Sequence, residues 1–436
     1  MKVKRLLPLT IVFALLCGLF TGCNLLPDLS KTSFSYELTE SKDGYALTGI
    51  GGLKRTEELV VPDTYEGLPV VSIENGAFLN NKKITKIVVG ANVREIKDKA
   101  FAGCSLVQSV ELPASLEVIG AGAFSGCVAL ANLNIPTAVT SIGDYAFSNC
   151  EGLQSVVVPN ATTKLGNWVF SGCSLLKEIT LPQNLTHLGD YALYKCSALE
   201  GLTLPTSLTS IGNYALASCY SIKEITLPNT VNEIGEGAFS KCNALANVTI
   251  PQGITKLKSF LFRDCASLQS VTIPQGVTSI GEECFYNCKK LVTVSIPSTV
   301  NSIGKYAFFN CKKLSSIAIP SGVTKVEDFA FAYCEGATSI SLPATLTEIG
   351  SHSFVKCNKV KEIIIPQGVT AIGEAAFSCC TSLVKVVIPA TVQELGNSAF
   401  YICNKLTIYA EAQTAPVGWE WDWNYSNCKV VWGYQY

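Results

Sequence analysis

Histidine is almost absent from this sequence, since only His187 and His352 occur among 436 residues. A Ser–His–Asp site would need one of them, and a structural zinc site needs four converging Cys, His or carboxylate ligands. The phosphate-binding pattern G-x-x-x-x-G-K-[ST] and the metalloprotease pattern H-E-x-x-H are also missing. These absences favour a protein without a catalytic centre, a bound metal or a cofactor.

An excess of charge of either sign is missing as well. The chain has 33 Lys and Arg against 34 Asp and Glu residues, a net charge of −1. Surfaces that bind nucleic acid are usually basic, so this balance argues against a nucleic-acid partner. After the N-terminus no run of 18 apolar residues occurs, and no further membrane span is expected.

The N-terminal segment 1–23 has the order of a targeting sequence. Basic residues at positions 2, 4 and 5 precede an apolar stretch over 6–20, which is short for a membrane span. The following L-F-T-G-C, which ends at Cys23, resembles the lipobox of bacterial lipoproteins, with Phe20 in place of the usual Leu. The resemblance implies a lipid on Cys23 that attaches the chain to a membrane. An ordinary signal peptide and an uncleaved anchor are the alternatives.

Cysteine follows a fixed period over most of the chain. Fourteen cysteines, from Cys104 to Cys403, occupy every twenty-third position without an insertion or a deletion. A period of this size indicates a solenoid, in which each repeat is one coil stacked on the last. A column of Phe or Leu from Phe78 to Phe400 repeats at the same step and predicts about 15 coils.

Each coil has the consensus I-G-x-x-A-F-x-x-C-x-x-L-x-x-V-x-I-P. The alternation in L-x-x-V-x-I predicts one short parallel strand, which the proline ends because it lacks an N–H. The spacing of A-F-x-x-C predicts a short helical or 3₁₀ segment, and the glycine predicts a tight turn with positive φ. Strands about 4.8 Å apart give a stack on the order of 70 Å long.

These residues resemble the BspA-type leucine-rich repeat of bacterial and protozoan surface proteins. The positions of Leu153, Val156 and Val158 correspond to the L-x-x-L-x-L core of leucine-rich repeats. The resemblance implies a right-handed, leucine-rich-repeat-like solenoid over residues 71–405 of a surface lipoprotein. Ordinary leucine-rich repeats have an asparagine ladder where this chain has varied residues such as Ser115 and Thr230. We therefore expect packing and backbone bonds to hold that turn.

The sequence divides into five segments. Residues 1–23 are expected to be the lipoprotein signal peptide, 24–33 a tether, and 34–70 an N-terminal cap with a β-hairpin that turns at Asp43-Gly44. The solenoid follows over residues 71–405. Residues 406–436 leave the period and form a Trp-rich C-terminal cap. Its tryptophans are interpreted as a lid over the last coil, with an aromatic glycan platform as the alternative.

The cysteine column has three interpretations. Equivalent Cα atoms of adjacent coils lie about 5 Å apart, within the disulfide range, but the Cβ vectors are parallel. A line of single thiols does not converge on a zinc ion. Buried free thiols that pack as small apolar side chains are therefore favoured, and disulfides and a metal site are the alternatives.

One outward-facing column lies between the Val and Ile of each strand. Five consecutive coils have threonine there, namely Thr180, Thr203, Thr226, Thr249 and Thr272. The β-propensity of threonine and packing between neighbouring threonines explain such a row, and a ligand-facing stripe is the alternative. An ice-binding array is disfavoured because the adjacent columns are irregular.

The sequence is thus interpreted as an exported, lipid-anchored, non-catalytic recognition protein of the cell surface or outer envelope. An adhesin-like partner would be a host or microbial surface protein or a glycan. Adjacent carboxylates such as Glu282 and Glu283 are expected to face solvent and not to form an acid–base pair. Since a fold does not determine a function, two alternatives stay open: an envelope spacer lipoprotein without a ligand, and a hydrolase with an unrecognised site.

Overall fold

The computed structural model describes residues 33–51 and 58–435, and they form a β-solenoid. It has about 17 turns of about 23 residues, in agreement with the predicted repeat solenoid. The aromatic column predicts 15 coils. The difference arises because Glu58–Val60 and Lys429–Trp432 each add a turn beyond the ends of that column.

An antiparallel hairpin precedes the stack. β1 (Ser33–Leu38) pairs with β2 (Tyr45–Gly51). The loop between them covers 39–44 and includes the predicted turn residues Asp43 and Gly44; in it the Thr39 N–H donates to the Gly44 carbonyl at 2.9 Å. The Asp43 carboxylate accepts hydrogen bonds from the hydroxyls of Thr39 and Ser41, which holds this loop in shape.

The L-x-x-V-x-I segments form the first series of parallel strands. Equivalent residues of successive coils are paired, as Val156 is with Ile179. The series is interrupted after its sixth, tenth and twelfth strands. Its members are β3 (Glu58–Val60), β6 (Lys86–Val88), β8 (Ser109–Glu111), β10 (Asn132–Leu133), β12 (Ser155–Val157), β14 (Glu178–Thr180), β17 (Glu224–Thr226), β19 (Asn247–Thr249), β21 (Ser270–Thr272), β23 (Thr293–Ser295), β25 (Ile317–Ala318), β27 (Ile340–Ser341), β29 (Glu362–Ile364), β31 (Lys385–Ile388), β33 (Thr407–Ala410) and β34 (Lys429–Trp432).

Each coil also has a second, shorter strand that the sequence analysis did not predict. It ends at the Ile, Leu or Val of the consensus I-G position and pairs in parallel with its equivalent, as Ser210 does with Glu233. Its members are β5 (Leu68–Ile73), β7 (Glu95–Ile96), β9 (Val118–Ile119), β11 (Ser141–Ile142), β13 (Lys164–Leu165), β15 (His187–Leu188), β16 (Ser210–Ile211), β18 (Glu233–Ile234), β20 (Lys256–Leu257), β22 (Ser279–Ile280), β24 (Ser302–Ile303), β26 (Lys325–Val326), β28 (Glu348–Ile349), β30 (Ala371–Ile372) and β32 (Glu394–Leu395); the short β4 (Thr64–Tyr65) pairs antiparallel with β5.

The predicted helical segment at A-F-x-x-C is not a helix. Over the described residues 33–51 and 58–435 the chain forms strands and turns only. Tyr145 and Asn149 have φ values of 59° and 57°, which a right-handed helix does not contain. The N–H groups of Tyr145 and Phe147 donate to the next coil, at Asn167 and Val169, rather than to their own turn. The N–H groups of Ala146 and Ser148 donate within the turn, to Gly143 and Tyr145, so bonds between coils alternate with bonds inside the turn and no continuous helix forms.

The core is a stack of aromatic rings along the solenoid axis. Phe124, Phe147 and Phe170 are fully buried, with ring centroids 5.6 and 5.4 Å apart and nearly parallel planes. Trp423 takes the next place in this column after Phe400 and contacts its ring edge-to-face. The segment after position 405 therefore continues the stack for one more coil, in which β34 pairs in parallel with β33. The C-terminal residues leave the sequence consensus but not the coil geometry.

Side-chain hydrogen bonds join the turns of neighbouring coils. The expectation was that packing and backbone bonds alone would hold these turns. The Ser207 hydroxyl lies 2.8 and 2.7 Å from two carbonyl oxygens of the preceding coil, and the Thr230 hydroxyl repeats the arrangement. At the turn after the glycine, Asp144 Oδ1 accepts the N–H of Asn167, and Asn167 Oδ1 accepts that of Asp190, both at 2.8 Å. An Asn/Asp ladder therefore exists, but at the turn after the glycine.

The repeated glycine is required by close packing and not by a positive φ. Gly212 has an ordinary φ, but a Cβ on it would lie 2.6 Å from the backbone nitrogen of Asp190 in the preceding coil. Real Cβ atoms do not approach backbone so closely. The prediction of a positive φ at this position was therefore wrong, because the glycine allows two coils to approach.

Candidate binding surface

The five threonines of the outward column are all exposed at the surface of the first strand series. Their strand neighbours point inward, so that Ile225 and Val248 are buried beside Thr226 and Thr249. Strand pairing places Thr203, Thr226, Thr249 and Thr272 side by side in consecutive coils. Four of the predicted residues thus form one uncharged row, the threonine row.

Thr180 is separated from the threonine row by a break in the sheet. β14, which contains Thr180, is the last strand of its ladder, and the next coil contributes a single bridge from Thr203 to Thr226. A depression of about 520 Å³ lies at this break. Its floor is Ile179, Leu202 and Ile225, and Glu178 and Glu224 line its rim. This depression was not predicted from the sequence.

A second surface feature is a ladder of aromatic rings that sequence reasoning also missed. Tyr145, Trp168, Tyr191 and Tyr214 occupy one column, with successive centroids 5.7, 3.9 and 5.1 Å apart. Burial, together with the hydrogen bond to Glu236, raises the pKa of Tyr214 to about 12. The rings cover each other's faces, and Tyr145 at the end of the ladder is 45% exposed. Aromatic residues two positions after the repeated glycine in four successive coils were the available signal.

The cysteine column consists of buried free thiols, as predicted. All fourteen are buried and unpaired. Each Sγ donates to the carbonyl of the aromatic-column residue 26 positions earlier, as Cys150 does to Phe124 at 3.3 Å. Burial raises the pKa of Cys173 to about 12. Among the described residues no group of three or more His, Cys, Asp or Glu is arranged to hold a metal.

We therefore expect the column thiols to resist alkylation in the folded protein. A thiol pKa raised from 9 to about 12 lowers the thiolate fraction at neutral pH about a thousandfold. Iodoacetamide labelling followed by mass spectrometry should modify the half-buried Cys379 and Cys428 first, and the column only after denaturation. These two cysteines are the internal control. Disulfide-linked peptides from neighbouring coils would contradict the prediction.

The histidines and the Glu282–Glu283 pair have structural surroundings. His187 Nδ1 lies 2.7 Å from the Ser210 hydroxyl, and the ring of His352 stacks on Phe329 at 4.6 Å. Glu283 does not face solvent freely, contrary to expectation, because it is half-buried and pairs with Arg263 at 2.9 Å. Burial raises the pKa of Glu283, and the positive charge of Arg263 lessens this rise.

The C-terminal tryptophans divide between the interior and the surface. Trp419 and Trp423 are buried at the end of the stack, and the Trp419 indole N–H donates to the Val392 carbonyl at 3.2 Å. Trp421 is 86% exposed. The buried pair fits the interpretation as a lid, and the glycan platform stays a prediction.

The N-terminal predictions lie outside the described residues. They are the signal peptide over 1–23, the lipid on Cys23, and the tether except for its last residue, Ser33. In the part of the chain that the structure describes, no helix has the length and apolarity needed to cross a membrane.

Known proteins resemble the chain in both sequence and fold. The sequence matches the BspA type leucine-rich repeat region over residues 71–200, 173–292 and 278–407. A leucine-rich repeat protein from Bacteroides ovatus is 27% identical, with a TM-score of 0.71, and the alignment covers 93% of this chain and 99% of that one. A leucine-rich cell surface protein from Faecalibacterium prausnitzii is 25% identical over 86% of this chain and 92% of its own, with a TM-score of 0.47. No curated protein matches the sequence.

Proposed function

Because the chain belongs to the BspA-type leucine-rich repeat family, we propose that it is a non-catalytic, adhesin-like recognition protein of the cell surface. It binds a host or microbial surface protein or glycan through the first strand series, at the threonine row. The observation that carries this proposal is the exposed, uncharged row of four threonines in register. Small polar side chains without charge let a partner approach a sheet closely and leave no ion to desolvate.

We expect the variant T203K/T226K/T249K to fold and to lose partner binding. The three side chains face water, so lysine fits there, but three like charges must be desolvated when a partner covers them. A loss of at least a hundredfold in affinity is expected, on the order of 3 kcal/mol. A pull-down from host matrix and co-resident bacteria identifies the partner, and titration of that partner measures the loss.

The matched control places three lysines in the same outward column, each four coils further along the stack. The variant S295K/A318K/S341K adds the same charge at exposed positions outside the threonine row. It should bind as the wild type does. Equal binding by the Thr→Lys variant would show that the row only packs the sheet.

Surface display without saturable binding would favour the spacer, and substrate turnover would favour the hydrolase.

The proposal includes a lipid on Cys23 that anchors the N-terminus to a membrane and leaves the solenoid exposed. Metabolic labelling with a palmitate analogue should mark the wild type and leave Cys23→Ser unlabelled, because the thiol is the site of attachment. Cys17→Ser is the matched control, since it removes the other cysteine of segment 1–23 and should keep the label. Label on Cys23→Ser at the wild-type level would contradict this anchor.

A further inference from the structure

The positions two residues before the outward column, where most strands of the first series begin, form a column of their own beside the threonine row. Four of them are glutamates, at positions 58, 178, 224 and 362. Glu58 is paired with Lys86 of the next coil at 3.1 Å, and Glu362 with Lys385 of the next coil at 2.8 Å. This chain therefore neutralises a glutamate in this column with a lysine from the adjacent coil of the same column.

The other two glutamates lack such a lysine. Glu178 and Glu224 flank Gly201, which takes the position that lysine takes beside Glu58 and Glu362. Neither carboxylate has an ion pair within the described residues. A Cβ built on Gly201 would meet no atom within 4 Å, and φ there is not positive. The column is thus missing one side chain at a place with room for it.

This missing side chain coincides with the depression in the sheet. Among the described residues, Glu178 and Glu224 are the only charged ones that line it, and two strand spacings of about 4.8 Å separate their backbones. Thr203, Thr206 and Thr226 and the apolar floor complete the lining. Lys177 and Lys223 belong to the neighbouring column and do not line the depression. The residue between them in that column is Glu200. Carboxylates above an apolar floor suit a lysine or arginine side chain, because its aliphatic part packs on apolar surface while its charged end stays at the rim.

We infer that the depression at Gly201 receives a lysine or arginine side chain from a protein partner, which takes the place that Lys86 and Lys385 take elsewhere in the column. The aliphatic stem packs on Leu202 and Ile225, and the charged head lies between Glu178 and Glu224. This inference rests on the proposed function, because the depression adjoins the threonine row. It makes the partner a protein with an exposed basic residue.

The test uses the full chain with threonine methyl groups labelled for NMR. Acetyl-(Lys)6-amide is the probe, and its fully side-chain-acetylated form is the neutral control. Titration should shift the methyl signals of Thr203 and Thr226 saturably, with less change at Thr272. The neutral peptide should leave all of them unchanged.

The decisive variant is Gly201→Lys, which supplies the missing side chain from the chain itself. Because the site has open space and an ordinary φ, the variant should melt as the wild type does, and it should bind the peptide about tenfold more weakly. E178Q/E224Q should weaken binding to a similar degree. Ser270→Lys adds a lysine to the same column between Asn247 and Thr293 and should bind normally.

Three results would overturn the inference: no shift in the wild type, equal binding by Gly201→Lys, or shifts spread evenly along the threonine row. The surface partner separates this inference from the proposed function. Binding that is lost in T203K/T226K/T249K but kept in Gly201→Lys refutes the cation site alone. Binding that survives both variants refutes recognition through this face as well.

Discussion

Replacing Phe147 by alanine should destabilise the middle of the solenoid by about 3–5 kcal/mol, the usual range for removing a core aromatic. The ring is fully buried and stacks on Phe124 and Phe170, so its removal leaves a cavity with a ring on each side. The loss should spread to neighbouring coils, because each coil of a solenoid is held by the coils beside it. Hydrogen exchange resolved by coil measures both the size and the extent of the effect.

The matched control for this variant is Phe147→Leu. The aromatic column already contains Leu193 and Leu216, and both are fully buried. The stack therefore accommodates leucine at equivalent positions of other coils. We expect a cost of about 1 kcal/mol for this smaller change in volume. If Phe147→Ala and the wild type exchanged at equal rates in the coils around position 147, the aromatic stack would not be what stabilises the core.

Gly212→Ala should destabilise by about 3 kcal/mol, although it adds only a methyl group. The new Cβ would lie 2.6 Å from two backbone atoms, Asp190 N and Gly189 C. The backbone can move little to relieve this overlap, because hydrogen bonds hold the two coils together. Gly201→Ala is the control, because nothing lies within 4 Å of a Cβ there, and it should be neutral or slightly stabilising. Thermal melts of both variants give the comparison, and equal melting temperatures would show that the coils separate freely at the glycine.

Periodicity predicted the repeat because identical coils repeat every contact. The inward positions, such as Phe147 and Cys150, followed from spacing alone, since the same interior slot recurs in every coil. The direction of Thr203, Thr226, Thr249 and Thr272 followed from alternation along a strand. These inferences needed no knowledge of which coil contacts which.

The features that the sequence analysis missed or misassigned depend on contacts between coils. The spacing of Ala146, Phe147 and Cys150 fits a helical turn equally well, until Phe147 N–H is seen to donate to Val169 of the next coil. Gly212 resembles a turn glycine until its distance from Asp190 is known. The depression arises from one missing side chain, Gly201, and from the end of a ladder at β14. A consensus averages over coils and conceals both.

The bonds between coils also determine how the molecule responds to a pull on its ends. The hydrogen bonds of the Asn/Asp ladder and of the Phe147 and Val169 backbones run along the axis from one coil to the next. Tension would therefore detach coils in turn from an end, and each detached coil would release about 75 Å of extended chain. If the lipid proposed on Cys23 fixes the N-terminus to a membrane, a partner bound at the threonine row would load only the coils between itself and that anchor. The coils beyond the partner would stay folded. The distance from the membrane to the partner would therefore grow by whole coils, while the coils C-terminal to the threonine row kept their shape.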